Sequence, residues 1–342
     1  MSQPRGYDWG EGVPKMTISS EDVRHGYSFV LGRNPESEAV IETHADHENI
    51  SLFRESLLNS AEFRASHRRR LALTEEHPYV LWHREAVAFL HLPKTAGLSF
   101  HACLKSCFSE EQICPERQDF LHCYAPAELA RYDLFSGHFG SFSVRFIPRQ
   151  RVRTISIFRN PRARLISWYR FLRSQPLIND PFQDALLPLA KSLGAEEFFE
   201  NQDVISSPAA NNMYLFFFGL PWPHPKAIDV ISDERLATDM LGIAKQQVRA
   251  LDAMGLTEKF NESVTEIFRI LGLVASLPVG SLNVTDERPA LDASVSLVPP
   301  VEVTARLSRA LDPLTIYDQE IYNMAVQEFE QRRASAMLAA AN

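Results

Sequence analysis

The segment with the clearest capacity for chemistry is residues 91–99, His-Leu-Pro-Lys-Thr-Ala-Gly-Leu-Ser. The apolar run at residues 86–92 predicts a buried strand leading into it, and a helical period follows it. Free backbone N–H groups at the start of such a helix bind anions. Lys94 adds a positive charge, and the hydroxyls of Thr95 and Ser99 add hydrogen-bond donors. The segment therefore predicts a cradle for a phosphate or sulfate ester.

A second basic segment, residues 152–169, repeats the strand-to-helix pattern. Arg159 would end the strand, and Asn160 followed by Pro161 suits the N-cap and the first position of a helix. An arginine placed there would point at an anion, and Ser167 on the helix could join it. Four apolar side chains of the helix are expected in the core: Leu165, Trp168, Tyr169 and Leu172. Two arginines near the start of the helix are expected to be solvated: Arg162 and Arg164.

The loop at residues 91–99 resembles the 5′-phosphosulfate loop of the sulfotransferases that use PAPS (3′-phosphoadenosine 5′-phosphosulfate), particularly the carbohydrate sulfotransferases. It differs from a standard P-loop because its lysine precedes the glycine, so ATP or GTP hydrolysis fits poorly. Threonine is commoner in that family than leucine at position 98. The resemblance assigns seven residues to the 5′-phosphosulfate: Pro93, Lys94, Thr95, Ala96, Gly97, Leu98 and Ser99.

Residues 152–169 resemble the 3′-phosphate-binding segment of the same family. By position, Arg159 and Ser167 would hold the 3′-phosphate of the nucleotide. A ligand with phosphate at two separated places is expected from the two segments together, which favours PAPS over ATP.

Weaker matches extend the resemblance from about residue 80 to about residue 333. Residues 253–263 resemble the family's Gly-Leu-Thr-Glu-x-Phe entry to an amphipathic helix. The apolar stripe of that helix is expected in the core: Val264, Ile267, Phe268 and Leu271. Residues 282–289 resemble the loop that lies over the 3′ end of the nucleotide, which implies cofactor contacts for Thr285 and Arg288. Turn formation explains these two residues equally well.

Sulfuryl transfer needs a base for the attacking hydroxyl and a cation for the leaving phosphate. Lys94 is the candidate cation, and no metal is required in principle. His138 is the candidate base, since it follows an apolar strand between two glycines, and the heparan sulfate 2-O- and 6-O-sulfotransferases have a similarly placed histidine. His91, His101 and His122 are competing histidines, and a carboxylate base remains an alternative.

Composition excludes several classes of protein. The chain has 342 residues, 45% of them hydrophobic, which is enough for one substantial core and an appendage. Its 43 acidic and 35 basic residues give a net charge of −8, so we expect no nucleic-acid partner. No apolar stretch reaches the length of a membrane span. Animal Golgi members of the family that the chain resembles carry a membrane anchor, so the resemblance implies a bacterial enzyme in the cytoplasm or at the inner face of the membrane.

The segment before the sulfotransferase-like part differs in pattern. Residues 1–20 are polar and expected to be flexible, and residues 21–75 resemble a helical module of unknown function found in many bacterial proteins. Its second helix, near residues 50–63, would bury an apolar face: Leu52, Phe53, Leu57, Leu58 and Phe63. A role in docking, acceptor presentation or homo-oligomer formation is expected for the module. At the other end, residues 313–333 predict a terminal amphipathic helix.

All four cysteines of the chain lie within one short stretch: Cys103, Cys107, Cys114 and Cys123. Their spacing contains no Cys-x-x-Cys pair, which favours free thiols over a zinc site and leaves a disulfide possible for an exported protein.

The sequence thus predicts an α/β fold, a P-loop-like three-layer domain with a central parallel sheet over residues 76–342, preceded by the small all-helical module. The expected reaction is transfer of a sulfuryl group from PAPS to a hydroxyl of a carbohydrate or glycolipid acceptor, leaving PAP. The alternatives are an inactive nucleotide-binding scaffold of a polysaccharide-assembly complex and a nucleotide-dependent kinase.

Overall fold

The computed structural model describes residues 18–31, 33–47, 85–177, 185–220, 226–274 and 296–341, with residues 53, 56, 57, 60 and 62. The chain separates into two compact units, Met1–Pro78 and Tyr79–Asn342. None of the helices in the described ranges is both long enough and apolar enough to cross a membrane.

The first unit is helical where it is described. Helix α1 spans Ser20–Gly26 and begins with a capping box between Ser19 and Asp22. A π-helical turn follows at Tyr27–Leu31, and α2 spans Glu38–Ala45. The unit has its own small core: Ile18, Val23, Tyr27, Ile41, Phe53 and Leu57. Three of the positions predicted to be apolar contacts lie outside the described residues: Leu52, Leu58 and Phe63.

The second unit is built on a four-stranded parallel sheet. Its strands are β1 (Ala86–Leu90), β2 (Leu134–Gly137), β3 (Val152–Phe158) and β4 (Ala253–Leu256), in the order β2-β1-β3-β4. Helices cover both faces of the sheet, which confirms the predicted α/β class. Because parallel strands end at the same edge of a sheet, the segments that follow β1, β2 and β3 meet there.

The helices of this unit are mostly short. Twelve lie in its described part: α3 (Gly97–Lys105), α4 (Pro126–Leu129), α5 (Pro161–Ser174), α6 (Leu187–Ser192), α7 (Ala195–Glu200), α8 (Gln202–Ser206), α9 (Met213–Gly219), α10 (Ala227–Ile231), α11 (Glu234–Arg249), α12 (Phe260–Leu271), α13 (Ala305–Leu314) and α14 (Ile316–Ala341). Short 3₁₀ turns occur at Glu110–Gln112, Leu121–Cys123, Ser141–Phe146 and Thr257–Lys259.

Local signals explain α5 and α12. The side chain of Asn160 accepts hydrogen bonds from the backbone N–H groups of Arg162 and Ala163, so the predicted N-cap is confirmed. The four apolar residues predicted for the core face of α5 are buried. The predicted stripe of α12 is also confirmed, with Val264, Ile267 and Phe268 buried and Leu271 packed against the same cluster.

Arg164 is fully buried, so the expectation that it is solvated was wrong. Its guanidinium donates to the carbonyl oxygen of Ala209 at 3.2 Å and to the sulfur of Met213 at 3.4 Å. Asp318 of α14 is buried nearby and accepts from the backbone N–H of Leu215 at 3.1 Å. Burial raises the pKa of Asp318 to about 7, although the positive charge of Arg164 opposes that rise. These buried polar groups join α5, α9 and α14.

The terminal helix begins later than predicted. Pro313 belongs to the last turn of α13, and α14 starts at Ile316. The break is stabilised by Asn212, whose backbone N–H donates to the carbonyl of Leu314 and whose side-chain oxygen accepts from the N–H of Tyr317, both at 2.8 Å. These contacts satisfy backbone groups that a continuous helix would have paired internally.

The four cysteines are free thiols. Cys103 and Cys114 are buried, and burial raises the pKa of both thiols, that of Cys114 to about 11. Thiols with raised pKa values are weak nucleophiles at neutral pH.

Candidate functional site

The loop after β1 has an unusual backbone. Lys94 and Ala96 adopt φ angles of 69° and 63°, in the left-handed region that non-glycine residues rarely occupy. Residues in this region are frequent in anion-binding turns that gather backbone N–H groups. Thr95 and Ser99 are buried, and the Thr95 hydroxyl donates to the carbonyl oxygen of Leu92 at 2.9 Å, which closes the turn. Leu98, the position that departs from the family pattern, is 47% exposed.

Gly97 starts α3 in direct contact with the His91 ring. A Cβ atom added at Gly97 would lie 1.9 Å from Cδ2 and Nε2 of that ring. The ring cannot easily move, since it stacks between Phe89 and His138 at centroid distances of 5.4 and 4.4 Å. A glycine is therefore required here by the close approach of the histidine, so His91 and Gly97 together fix the shape of the loop.

We expect Gly97→Ala to destabilise the protein by about 1–3 kcal/mol, because the added methyl group must displace either the loop or the ring. Gly242→Ala is the matched control: this glycine is exposed in α11, and nothing lies within 4 Å of its added Cβ. Alanine should stabilise that helix by up to about 1 kcal/mol. Chemical denaturation of both variants measures the difference, and equal effects of the two substitutions would contradict the contact between Gly97 and His91.

His138 follows β2 and is held in one tautomer. Its Nδ1 lies 2.8 Å from the carbonyl oxygen of His91, and a carbonyl oxygen only accepts, so Nδ1 carries the proton. Nε2 of the neutral ring therefore has the lone pair. Burial lowers the pKa of His138 and the positive charge of Arg117 lowers it further, while the hydrogen bond to His91 opposes this shift. The ring is consequently neutral at pH 7 and arranged to accept a proton at Nε2.

The competing histidines are less suited to proton transfer. Nδ1 of His101 lies 2.6 Å from Oγ of Ser136, and its Nε2 accepts from Arg117, so both nitrogens are engaged. His91 is buried, and burial holds its pKa well below its usual range. His122 is exposed and lies outside the cavity described below. The sequence favoured His138 because of its flanking glycines, and the fold adds which ring nitrogen is available.

Arg159 connects the two predicted phosphate segments. It follows β3, and its Nη1 donates to the backbone carbonyl of Lys94 at 3.1 Å. Its own backbone is fixed by the hydroxyl of Tyr214, which donates to the Arg159 carbonyl at 2.7 Å. Burial lowers the pKa of the guanidinium, and the carboxylate of Glu258 acts in the opposite direction. The arginine is thus aimed at the loop after β1.

Helix α5 faces the same region. Ser167 is 7% exposed on this helix, and Phe171 lies one turn beyond it. The ammonium of Lys94 lies 4.2 Å from the centroid of the Phe171 ring, a cation–π contact. The loop after β1, the end of β3 and helix α5 are therefore in contact through Lys94, Arg159 and Phe171, and Ser167 lies on the same helix as Phe171. Thr285 and Arg288 lie outside the described residues.

Two polar residues near this edge were not predicted. Glu258 accepts from the backbone N–H of Asn160 at 2.8 Å and so ties the segment after β4 to the start of α5. Arg170, on α5, lies close enough to lower the pKa of Arg159, which adds positive charge to this edge. The Gly-Leu-Thr-Glu motif contains Glu258 and could have indicated it, whereas no local signal marks Arg170.

A cavity of about 550 Å³ opens beside His138. Its walls are largely apolar and come from the loop after β1, the segment before α4, the turn after β2 and helix α9. The lining residues are Pro93, Gln118, Asp119, Phe120, His138, Gly140, Ser207, Pro208, Ala209, Met213, Phe216 and Phe217. Helix α9, Met213–Gly219, is apolar along its length, and every residue of it is buried.

Metal-ligating side chains do not gather in the described part of the chain: it contains no group of three or more His, Cys, Asp or Glu residues suited to holding an ion.

Comparison with known proteins gives one local similarity. No protein-family model matches the chain. A stretch of 89 residues is 32% identical to a protein-tyrosine sulfotransferase of Arabidopsis thaliana. The match covers 26% of this chain and 17% of that relative, so it spans less than a fifth of the relative's length.

Proposed function

We propose that this chain is a sulfotransferase that moves a sulfuryl group from PAPS to an acceptor hydroxyl. The observation that carries the proposal is the hydrogen bond from Arg159 to the backbone of Lys94, because it joins the two segments that the sequence predicts to bind phosphate. The local identity to a protein-tyrosine sulfotransferase supports the same class of reaction. Two phosphate sites suit PAPS, which carries phosphate at both the 5′ and the 3′ positions.

The residues present fit this nucleotide. The loop from Pro93 to Ser99, with its left-handed turn and the start of α3, would hold the 5′-phosphosulfate through backbone N–H groups. Arg159 and Ser167 would hold the 3′-phosphate, and a phosphate would restore the solvation that the guanidinium loses by burial. Thr285 and Arg288 remain proposed contacts from the sequence resemblance.

The chemistry requires one base and one cation. The acceptor oxygen forms a bond to sulfur as the bond between sulfur and the bridging oxygen of the 5′-phosphate breaks, and the electron pair of that bond stays on PAP. The hydroxyl proton passes to Nε2 of His138, the nitrogen left open by the hydrogen bond to His91. Lys94, within the loop, stabilises the charge that develops on the leaving phosphate. No step of this scheme needs a metal.

The acceptor and the cellular location are proposed less specifically than the reaction. The family resemblance points to a carbohydrate or glycolipid hydroxyl, whereas the similar plant protein is named for action on protein tyrosine. We place the reaction in the cytoplasm or at the inner face of the membrane, with the helical module docking a partner, an acceptor or a second copy of the chain.

Thermal unfolding with nucleotides tests the proposal. PAP at 100 times its dissociation constant should stabilise the protein by about 2.7 kcal/mol, a rise of several degrees in Tm. ATP with magnesium should raise Tm less, and Lys94→Ala should reduce the effect of PAP. A rise in Tm with ATP and magnesium but none with PAP would overturn the sulfotransferase proposal in favour of a kinase. A rise in Tm with PAP, without sulfate transfer to any acceptor, would indicate a binding scaffold.

A further inference from the structure

We infer that the cavity beside His138 accepts a hydroxyl carried on an aromatic group, and that Asp119 selects acceptors that also present a positively charged or N–H group. This inference rests on the proposed sulfotransferase function and defines its acceptor by chemistry, against the carbohydrate expected from the resemblance. Asp119 lies in a loop that no sequence motif marks.

The walls of the cavity favour an apolar acceptor body. Aromatic rings and other apolar side chains dominate the lining, with Phe216, Phe217 and Met213 of α9 on one side and Pro208 beside them. Aromatic ligands pack well against such walls through edge and face contacts. A sugar would bring several hydroxyl groups, and each would need a polar partner to compensate for lost water. The cavity offers few such partners.

Asp119 is the acidic side chain among the residues that line the cavity. Its Oδ1 is buried, and no donor meets that atom within the described part of the chain. Burial raises the pKa of the carboxyl group, while hydrogen bonds from Ser143 and from the backbone of Gly140 lower it. An acceptor that supplies an N–H or ammonium group to this carboxylate would offset its cost of partial burial.

The negative charge of Asp119 in the cavity lining disfavours polyanionic acceptors. No Lys or Arg side chain is found among the described residues of the lining, so a uronate or sulfate group would meet no cation in the wall, and Arg117, whose charge acts on His138, donates to His101. An acidic acceptor would place its charge near Asp119 in a partly desolvated site, where like charges repel strongly. This distinguishes the site from one suited to heparan-like glycans.

The basicity of His138 also favours an aromatic hydroxyl as the acceptor. His138 has a lowered pKa and is therefore a weak base. Proton transfer to a weak base is easier from a phenol, whose pKa is about 10, than from an aliphatic alcohol, whose pKa lies several units higher. An aromatic hydroxyl thus suits both the walls of the cavity and the base.

Three phenols that differ in the charge of one substituent test the inference: tyramine (cationic), p-cresol (neutral) and 4-hydroxyphenylacetate (anionic). Sulfate transfer from PAPS should follow that order in kcat/KM, with tyramine about ten- to hundredfold above 4-hydroxyphenylacetate. Asp119→Asn should collapse this ratio toward one. Gln118→Ala, an uncharged change in the same wall, should preserve the ratio and is the matched control.

Three outcomes would overturn the inference. These are equal kcat/KM values for the three phenols in the unaltered protein, an equal loss for all three in Asp119→Asn, and better turnover of a neutral monosaccharide than of p-cresol. An equal loss would assign Asp119 to proton transfer instead. If PAP raises Tm but no phenol is sulfated, the inference fails while the nucleotide site stands. If PAP does not bind and PAPS supports no transfer, the proposed function fails and the inference with it.

Discussion

Replacement of His138 with alanine is expected to lower kcat for sulfate transfer by about 10²- to 10⁴-fold and to leave PAP binding intact. The hydrogen bond from Nδ1 to the His91 carbonyl leaves Nε2 as the accepting nitrogen, and the ring borders the cavity proposed for the acceptor. Alanine removes this acceptor of the proton together with its contacts to His91, and it leaves the residues from Pro93 to Ser99 unchanged. Initial rates with PAPS and p-cresol, together with the Tm shift caused by PAP, measure the two effects separately.

His122→Ala is the control for this substitution, because His122 is exposed and lies outside the cavity lining. Its turnover should match that of the unaltered protein. Retention of full turnover by His138→Ala would remove His138 as the base. If Asp119→Asn then lost turnover with every acceptor, the carboxylate alternative raised by the sequence would take its place.

The same histidine sets the expected pH dependence. Transfer requires the neutral ring, and the pKa of His138 is lowered by burial, so the fall in kcat/KM on acidification should occur below pH 6.5. Above that pH the His138 contribution should be constant. The acidic limb assigned to His138 should be absent from the residual activity of His138→Ala.

Arg159→Ala is expected to weaken PAP binding by about 10- to 150-fold, the value of a lost hydrogen bond to a charged group. The substitution also removes the bond to the Lys94 carbonyl, so the loop loses one of its supports. Titration calorimetry with PAP measures the change. Arg159→Lys should recover only part of the affinity, because a lysine keeps the charge but not the planar fork of donors.

Arg162→Ala provides the matched control for Arg159. Arg162 is three residues further along the chain, but its guanidinium bonds to Ser308 and Asp312 on α13. Its removal should leave PAP affinity within about twofold, since it breaks only a partly exposed ion pair away from the loop. Equal losses in the Arg159 and Arg162 variants would show a general effect of positive charge and not a specific phosphate contact.

Local sequence signals were sufficient for the elements that carry the site. Asn160 and Pro161 marked the start of α5 because capping depends on residues only two or three positions apart. The apolar run before Pro93 marked β1, and the glycine-flanked His138 marked the end of β2. In each case the residues that form the structure are neighbours in the chain.

Features that depend on distant residues were not predictable in this way. The bond between Arg159 and Lys94 joins positions 65 residues apart. Arg164 was expected to be solvated because arginine runs usually are, yet Asp318 on the last helix provides a buried opposite charge. The left-handed conformations of Lys94 and Ala96 have no marker in residue type, since glycine or asparagine would be the usual signal.

The most direct test of the central claim compares the affinities of PAP and adenosine 5′-monophosphate, which lacks the 3′-phosphate. If the loop after β1 and Arg159 form one nucleotide site, calorimetry should show PAP binding at least about tenfold more tightly, and Arg159→Ala should abolish that advantage. Equal affinities for the two nucleotides in the unaltered protein would contradict the account, because no 3′-phosphate site would then exist.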